Sequence, residues 1–199
     1  MDDAGLIALA RRGDAVAFSR LFAGFERRIF RHAAHMCGRD AADDVVQETF
    51  LAVLRPSTAL RASGRGGYDP SKGTVGNYLF GIARHFVLKR LSAREVATFD
   101  LDEHDERTAW PDERPSVLDS LSREETIQTV RAAIASLPAA YREAVVLCEL
   151  QEMAYADAAA IAQCPVGTVR SRLHRAKALL MTKLSATRSG ADLVRSATR

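Results

Sequence analysis

Apolar side chains recur three and four residues apart along most of the chain, which is the spacing of an amphipathic α-helix. In the N-terminal part these positions are Leu6, Leu9, Ala10, Phe18, Leu21, Phe22 and Phe25. The pattern predicts a helix over residues 15–34, and Asp14 is a suitable N-cap for it. Two further helices are expected over residues 40–54 and 75–96.

Two segments interrupt this helical pattern. Residues 56–74 contain two prolines and four glycines, a composition typical of a loop. Residues 98–118 are acidic, contain Pro111 and Pro115 and show no sustained periodicity, so we interpret them as an interdomain linker.

Helical periodicity resumes after the linker, and no segment shows the alternation of a β-strand. This predicts an all-α protein with two small helical domains, residues 1–97 and 119–185, joined by the linker at residues 98–118. Residues 186–199, rich in Ser, Ala and Arg, are expected to form a flexible tail.

The second domain carries the most specific local pattern. A short Ala-rich helix at residues 155–161 is followed by a break at residues 163–165 and by another helix from Val166. At about 3.6 residues per turn, the apolar positions of this last helix form one stripe that faces the domain core. The opposite side carries Arg170, Ser171, His174, Arg175 and Lys177. Two helices, a tight turn and a basic outer face predict a DNA-binding helix-turn-helix, whose second helix enters the major groove.

Composition and charge fit this interpretation. The chain is 47% apolar and 27% charged, as in a globular protein, and no apolar run is long enough to span a membrane. Residues 161–199 carry eight basic and one acidic side chain, whereas residues 98–125 carry three basic and ten acidic ones. The basic end suits a phosphate backbone, and the acidic middle must point elsewhere. Three widely spaced cysteines and an acidic N-terminus without a secretory pattern favour a cytoplasmic location.

No arrangement of residues indicates catalysis. The His-x-x-His-x-Cys sequence at residues 32–37 has no second pair of metal ligands nearby, and the Gly-rich residues 64–67 lack the lysine of a P-loop. We therefore expect no catalytic residue, no metal and no other cofactor.

Four motifs in order resemble those of the extracytoplasmic-function (ECF, group 4) RNA polymerase sigma factors. Residues 165–176, PVGTVRSRLHRA, resemble sigma region 4, which reads the minus-thirty-five promoter element. Residues 13–18, 44–50 and 78–84 resemble the start of region 2, its core-binding helix and its minus-ten helix. The resemblance extends over residues 6–185.

Some positions depart from the family pattern. Tyr78 stands where the family usually has Trp, and His85 where it usually has Asn. The loop at residues 56–74 is long for the family, and residues 157–159 are Asp-Ala-Ala instead of Glu-Ile-Ala. The position of His85 lines the family's pocket for a flipped-out base, so base preference there is open.

The resemblance implies a dissociable, cytoplasmic and stress-responsive initiation subunit. Its partners would be core RNA polymerase, promoter DNA and an anti-sigma factor, without membrane insertion. The resemblance places core binding on Asp44, Gln47 and Glu48. It places minus-ten recognition on Tyr78, Arg84, His85, Lys89 and Arg90. It places minus-thirty-five recognition on Arg170, Ser171, Arg172, His174, Arg175 and Lys177.

Two other functions remain alternatives at this point. One is an autonomous helix-turn-helix regulator whose residues 1–97 sense a signal or form oligomers. The other is a nucleic-acid-processing enzyme, against which the missing catalytic set argues. The acidic linker likewise has two interpretations, an RNA mimic in a polymerase channel or a flexible tether.

Overall fold

The computed structural model describes residues 3–55, 58, 67–98 and 117–197, and the predicted linker lies largely outside these residues. The described residues contain helices and no strand. The first domain contains α1 (Asp3–Arg11), α2 (Ala15–Cys37), α3 (Ala42–Leu54), a 3₁₀ turn (Pro70–Lys72) and α4 (Val75–Thr98). The second domain contains α5 (Val117–Ala135), α6 (Ala139–Val145), a π-helical turn (Val146–Leu150), α7 (Tyr155–Ala162) and α8 (Val166–Ala197).

The first domain is built on α2, α3 and α4, whose apolar faces meet in one core. The Asp14 carboxylate caps α2 as predicted, since it accepts hydrogen bonds from the backbone N–H groups of Val16 and Ala17 at 2.9 and 3.0 Å. Phe22 of α2 packs on Phe50 of α3 with ring centroids 4.8 Å apart. This contact fixes α3 with its acidic side turned outward.

The second domain contains the predicted helix-turn-helix. After α7 the chain turns at Gln163, which has a left-handed backbone with φ of 54°, and α8 begins at Val166. Leu173 and Ala176 of α8 are buried against Ile134 of α5, Leu137 of the connection that follows it, and residues of α6. The apolar stripe of α8 therefore faces the core, and its basic side faces outward.

The two domains are in direct contact. α4 packs against α7, and α2 packs against α5, α6 and the π-helical turn. Phe80 of α4 is completely buried among Leu147, Ala158 and Ile161 of the second domain. In return, Val146 of the π-helical turn is completely buried in the core of the first domain.

Polar groups of the second domain also bind the backbone of α2. An Arg142 guanidinium nitrogen donates a hydrogen bond to the carbonyl of Met36 at 2.8 Å, and the Gln151 amide donates to the carbonyl of Arg28 at 3.2 Å. The Met36 carbonyl lies in the last turn of α2, where carbonyl groups have no partner within the helix, and both contacts connect the second domain to α2.

The all-α fold of two small helical domains is confirmed. In the structure, α8 continues as a helix through residues 186–197, beyond the predicted end of the second domain at residue 185, and the flexibility of this segment stays a prediction. Ala and Arg in this stretch have high helix propensity, and no proline interrupts it.

Candidate polymerase and nucleic-acid interfaces

The predicted core-binding residues lie on one side of α3. Asp44 is 67% exposed, Gln47 is exposed and Glu48 is half-buried. Their spacing of three and four residues places them side by side on the helix. The structure therefore brings this predicted set together as an acidic, accessible surface.

Arg90 of α4 lies against this acidic surface. Its guanidinium is 2.6 Å from a Glu48 carboxylate oxygen and 3.5 Å from an Asp44 oxygen. Burial by itself lowers the pKa of Arg90, but the hydrogen bonds and charges of the two carboxylates outweigh it and raise that pKa above its usual value. A residue predicted to contact minus-ten DNA thus makes its contacts with the predicted polymerase-binding residues.

Leu51 extends the same side of α3 and was missed by sequence reasoning. Its side chain is 57% exposed, although it is apolar and follows Asp44 by seven residues. A single exposed leucine is common on protein surfaces, and here it adds one apolar position to the acidic side of α3. The sequence could have indicated it, because Leu51 follows Asp44 by seven residues, or two helical turns, and so lies on the same side of the helix.

Tyr78 begins the predicted minus-ten surface at the first turns of α4. Its hydroxyl accepts a hydrogen bond from Arg11 at 3.1 Å, and its ring lies 5.7 Å from that of Tyr68. Burial raises the pKa of Tyr78 above its usual value, with Arg11 opposing the shift. The ring also packs against the first-domain core. Tyr78 is therefore partly buried, and the rest of its side chain is accessible to a ligand.

A cleft of about 220 Å³ opens beside Tyr78. Its first-domain wall is formed by the loop before α4 and by the start of α4, including Tyr68, Lys72 and Asn77. Ala160 and Gln163 of the second domain close its other side. Aromatic, amide and basic groups around one cleft can hold an unstacked base.

The other predicted minus-ten residues diverge around α4. Arg84 turns to the second domain, where its Nε lies 2.5 Å from a carboxylate oxygen of Glu143. His85 is half-buried with its ring 5.3 Å from that of Phe86, and Lys89 is exposed. The structure therefore places Arg84 and Arg90 in ion pairs on different sides of α4.

The predicted minus-thirty-five residues lie on α8. Arg170, Ser171, His174 and Arg175 are all exposed and occupy its first turns. The Arg170 guanidinium lies 5.6 Å from the ring centroid of Tyr155, a cation–π distance that holds the arginine near the surface of α7. This row has the exposure and charge needed to reach base edges and phosphates in a major groove.

Two of the predicted minus-thirty-five residues, Arg172 and Lys177, have local partners. Arg172 is half-buried and donates to the Cys164 sulfur at 3.8 Å across the helix-turn-helix break. Lys177 lies 2.8 Å from Glu149, and this hydrogen bond raises the pKa of Lys177. Lys177 stays exposed, so its ammonium group can leave Glu149 and bind a DNA phosphate instead. Arg172 has a second role, because its contact with Cys164 stabilises the turn.

His32 lies at the contact between the domains. It is completely buried, its ring packs edge-on against Phe80 at 5.5 Å, and neither ring nitrogen has a hydrogen-bond partner among the described residues. Burial, followed by the positive charges of Arg84 and His35, lowers the pKa of His32 from 6.5 to about 4.

This buried histidine predicts a pH dependence of stability. Because the pKa of His32 is lower in the folded chain, its contribution is complete above pH 6.5 and is lost as the pH falls towards about 4. Wild-type protein should lose about 2 kcal/mol of unfolding free energy from this residue between about pH 7 and pH 5. His32→Leu should remove that part of the pH dependence in urea titrations, whereas the same change at exposed His174 should not. Equal slopes for wild type and His32→Leu would refute the assignment.

Two further structural findings bear on function. In the part of the chain that the structure describes, no group of three or more His, Cys, Asp or Glu side chains could hold a metal ion. In that same part, helices long enough to cross a bilayer lack the required apolar stretch.

Together, the helix-turn-helix and the outward basic side of α8 are typical of a helical DNA-binding protein, and α3 adds a separate acidic surface. The chain matches the family descriptions Sigma-70 region 2 over residues 21–96 and Sigma-70, region 4 over residues 127–180.

Similar proteins agree with these matches. The ECF RNA polymerase sigma factor SigC of Mycobacterium tuberculosis is 31% identical over 90% of this chain and 91% of its own. The ECF RNA polymerase sigma-E factor of Haemophilus influenzae is 27% identical over 92% and 96%. This chain belongs to the ECF sigma factors of the sigma-70 family. It is therefore a promoter-directing subunit of RNA polymerase and not an enzyme.

Two solved structures are similar over both domains. The sigma factor RpoE, in complex with the anti-sigma factor NepR from Bartonella quintana, has a TM-score of 0.65 and 26% identity, with 84% of this chain and 96% of that one covered. CnrH, in complex with the cytosolic domain of CnrY, has a TM-score of 0.62 and 25% identity, with 92% and 97% covered.

Proposed function

We propose that this chain is a group 4 sigma factor whose two domains read two promoter elements. The second domain binds the minus-thirty-five element through α8, and the first domain holds the melted minus-ten strand beside α4. The observation that carries this assignment is the exposed row on α8, Arg170, Ser171, His174 and Arg175, directly after the left-handed turn at Gln163. Guanidinium, hydroxyl and imidazole groups at the start of a recognition helix suit base-edge readout.

The cleft beside Tyr78 supports the minus-ten role. Promoter opening removes bases from the stack at a cost of a few kcal/mol each, and stacking on an aromatic ring returns about 1–3 kcal/mol per base. Tyr68 and Tyr78 offer two ring faces, and Lys72 and Lys89 are exposed cations near the same helix. His85 takes part from its half-buried position on α4.

The acidic side of α3 supports polymerase docking. Asp44, Gln47 and Glu48 offer carboxylate and amide groups to a basic partner surface, and Leu51 adds an apolar anchor at the centre of the contact.

Reversing the charge of Glu48 tests this docking surface. Glu48→Lys should weaken binding to core RNA polymerase at least about tenfold, because it places a cation beside Arg90 and removes the carboxylate offered to the partner. Fluorescence titration of labelled sigma factor with core enzyme measures the affinity. The second domain should stay folded, since Glu48 lies in the first domain.

Glu152→Lys is the matched control for that experiment. It makes the same charge reversal at an exposed position of the second domain and should leave polymerase affinity unchanged. Wild-type affinity in Glu48→Lys would argue against α3 as the docking surface.

An anti-sigma factor is the regulatory partner that the similar structures support. Both RpoE and CnrH are bound to a partner, NepR and the cytosolic domain of CnrY, and both resemble this chain over most of its length. We infer that an analogous partner binds this chain, that its release follows stress, and that the chain works in the cytoplasm with the polymerase.

Run-off transcription tests the proposed function as a whole. The purified chain, added to core RNA polymerase and a library of genomic promoter fragments, should direct initiation from one class of promoters. Tight binding to duplex DNA by the chain alone, without any association with core enzyme, would instead establish an autonomous regulator.

A further inference from the structure

Arg11, the last residue of α1, connects two elements that are distant from it in the sequence. Its Nε donates a hydrogen bond to the Val53 carbonyl at 2.7 Å, and a terminal guanidinium nitrogen donates to the Tyr78 hydroxyl at 3.1 Å. Val53 lies in the last turn of α3, where carbonyl groups have no partner within the helix. One guanidinium group therefore binds both the end of α3 and the tyrosine at the start of the predicted minus-ten surface.

The guanidinium group is well suited to this connection. It carries five N–H donors in a fixed planar fork, so one nitrogen can bind a backbone carbonyl while another holds a side chain. The Val53 carbonyl belongs to a packed helix and gives Arg11 a rigid attachment. Tyr78 is only half-buried, and the Arg11 contact fixes the hydroxyl end of its side chain.

Tyr68 is held in a similar way on the same wall of the cleft beside Tyr78. Its hydroxyl donates a hydrogen bond to the Gly73 carbonyl at 3.1 Å, and the two rings meet at an interplanar angle of 55°. Gly67 lines the same cleft, and a Cβ on that glycine would lie 3.9 Å from an Arg11 nitrogen. Two rings whose hydroxyl groups are both bonded keep their orientation before a base arrives.

Apolar packing holds α1 in place without help from the Arg11 side chain. Leu6 and Ala10 of α1 are buried in an apolar cluster with Ala17 of α2. Leu54 of α3 packs against the same cluster. Arg11 itself is exposed, so its removal should leave the first domain folded and its role in the site can be measured.

We propose that Arg11 is a positioning residue for minus-ten recognition, which holds the Tyr78 ring in the orientation that stacks on an unstacked base. A ring that is already oriented loses less conformational freedom when the base binds, so more of the stacking energy is available for promoter opening. The proposal rests on the proposed minus-ten role of Tyr78. Arg11 acts through Tyr78 and not through a contact of its own with DNA.

The contact itself is measured in the free chain. When all four tyrosines are replaced by fluorotyrosine, the fluorine signal of Tyr78 is identified by its loss in Tyr78→Phe. Arg11→Ala should shift this signal, because it removes the donor bonded to the hydroxyl. Arg12→Ala removes the same charge at the next exposed position and should leave the signal in place. An unchanged Tyr78 signal in Arg11→Ala would overturn the proposal.

Promoter opening by the polymerase holoenzyme measures the role of this contact. A fluorescent adenine analogue in the minus-ten element, on a promoter found by run-off transcription, reports the unstacked base. Arg11→Ala should lower the opening equilibrium constant about three- to tenfold, as expected for the loss of one hydrogen bond, and Arg12→Ala should not. Affinity for core RNA polymerase and the salt dependence of opening should stay at their wild-type values, since no phosphate contact is lost.

A double-mutant cycle with Tyr78→Phe separates positioning from a general structural role. Tyr78→Phe keeps the ring and removes the hydroxyl that accepts the hydrogen bond from Arg11. By itself it should reduce opening by about the same factor as Arg11→Ala, and the two changes together should reduce it no further. Additive losses would overturn the proposal. A weaker salt dependence in Arg11→Ala would overturn it as well, because it would indicate a direct phosphate contact.

Failure of the proposed function gives a different result. A wild-type holoenzyme that opens no promoter would refute the minus-ten role of α4, and the fluorine signal would still report the contact between Arg11 and Tyr78. A wild type that opens promoters, together with an Arg11→Ala chain that opens them equally well, would overturn the positioning role alone.

Discussion

Replacing Phe80 by alanine should reduce the unfolding free energy of the chain by about 3–5 kcal/mol. The side chain is completely buried among residues of the second domain, with the Arg28 guanidinium 5.4 Å from its ring centroid and the His32 ring packed against its edge. Alanine leaves a cavity at the contact between the domains and removes both ring interactions. Urea titration followed by circular dichroism measures the loss.

The position of Phe80 also predicts how the chain unfolds. Because one ring joins the cores of two domains, Phe80→Ala should make their unfolding transitions separate. Phe86→Ala is a suitable comparison, since half-buried Phe86 packs against the first-domain core and should destabilise that domain without uncoupling the two. A loss below about 1 kcal/mol for Phe80→Ala would contradict the structure.

Arg170→Ala should weaken binding to the preferred minus-thirty-five sequence by about 1–3 kcal/mol and abolish discrimination at one base pair. Arg170 is exposed at the first turns of α8 and lies near Tyr155. Under the proposed minus-thirty-five role, its guanidinium would make a bidentate contact with a base. Selection from a randomised promoter pool by polymerase holoenzyme measures both affinity and base preference.

Lys177→Ala provides the contrasting case on the same helix. Lys177 is exposed one turn beyond the main row and is expected to contact phosphate after leaving Glu149. Its removal should weaken binding to all DNA sequences by the same factor and reduce the salt dependence of binding. If Arg170→Ala weakened binding to all DNA sequences equally, Arg170 would contact phosphate, and other residues of α8 would recognise the bases.

The helices and the direction of their faces were predictable from the sequence because they depend on local spacing. Asp14 as a cap, the break before Val166 and the outward row on α8 follow from periodicity and from the chemistry of turns. The acidic side of α3 could be located in the same way. The structure agrees with these expectations because caps, breaks and the direction of a helix face depend on residues that are close in sequence.

The partners of the charged residues were not predictable. Arg84 and Glu143 are 59 residues apart and Arg90 and Glu48 are 42 apart, so no periodic pattern links them. A basic residue on a helix face has the same sequence signature whether it binds DNA or a carboxylate of another helix. The helical continuation to Ala197 was missed for a related reason, because Ser and Arg are common both in tails and in solvated helices.

The Arg90 contacts have a consequence for the coupling between polymerase binding at α3 and DNA binding at α4. Arg90 belongs to the helix proposed to read minus-ten DNA, and its carboxylate partners belong to the helix proposed to dock on the polymerase. Under that proposal, a basic group of the enzyme that binds Glu48 would compete with Arg90 for its carboxylate, and docking would release a cation on α4. Thermodynamic reciprocity then requires that DNA which captures this cation also tightens the grip on the enzyme, by the same factor.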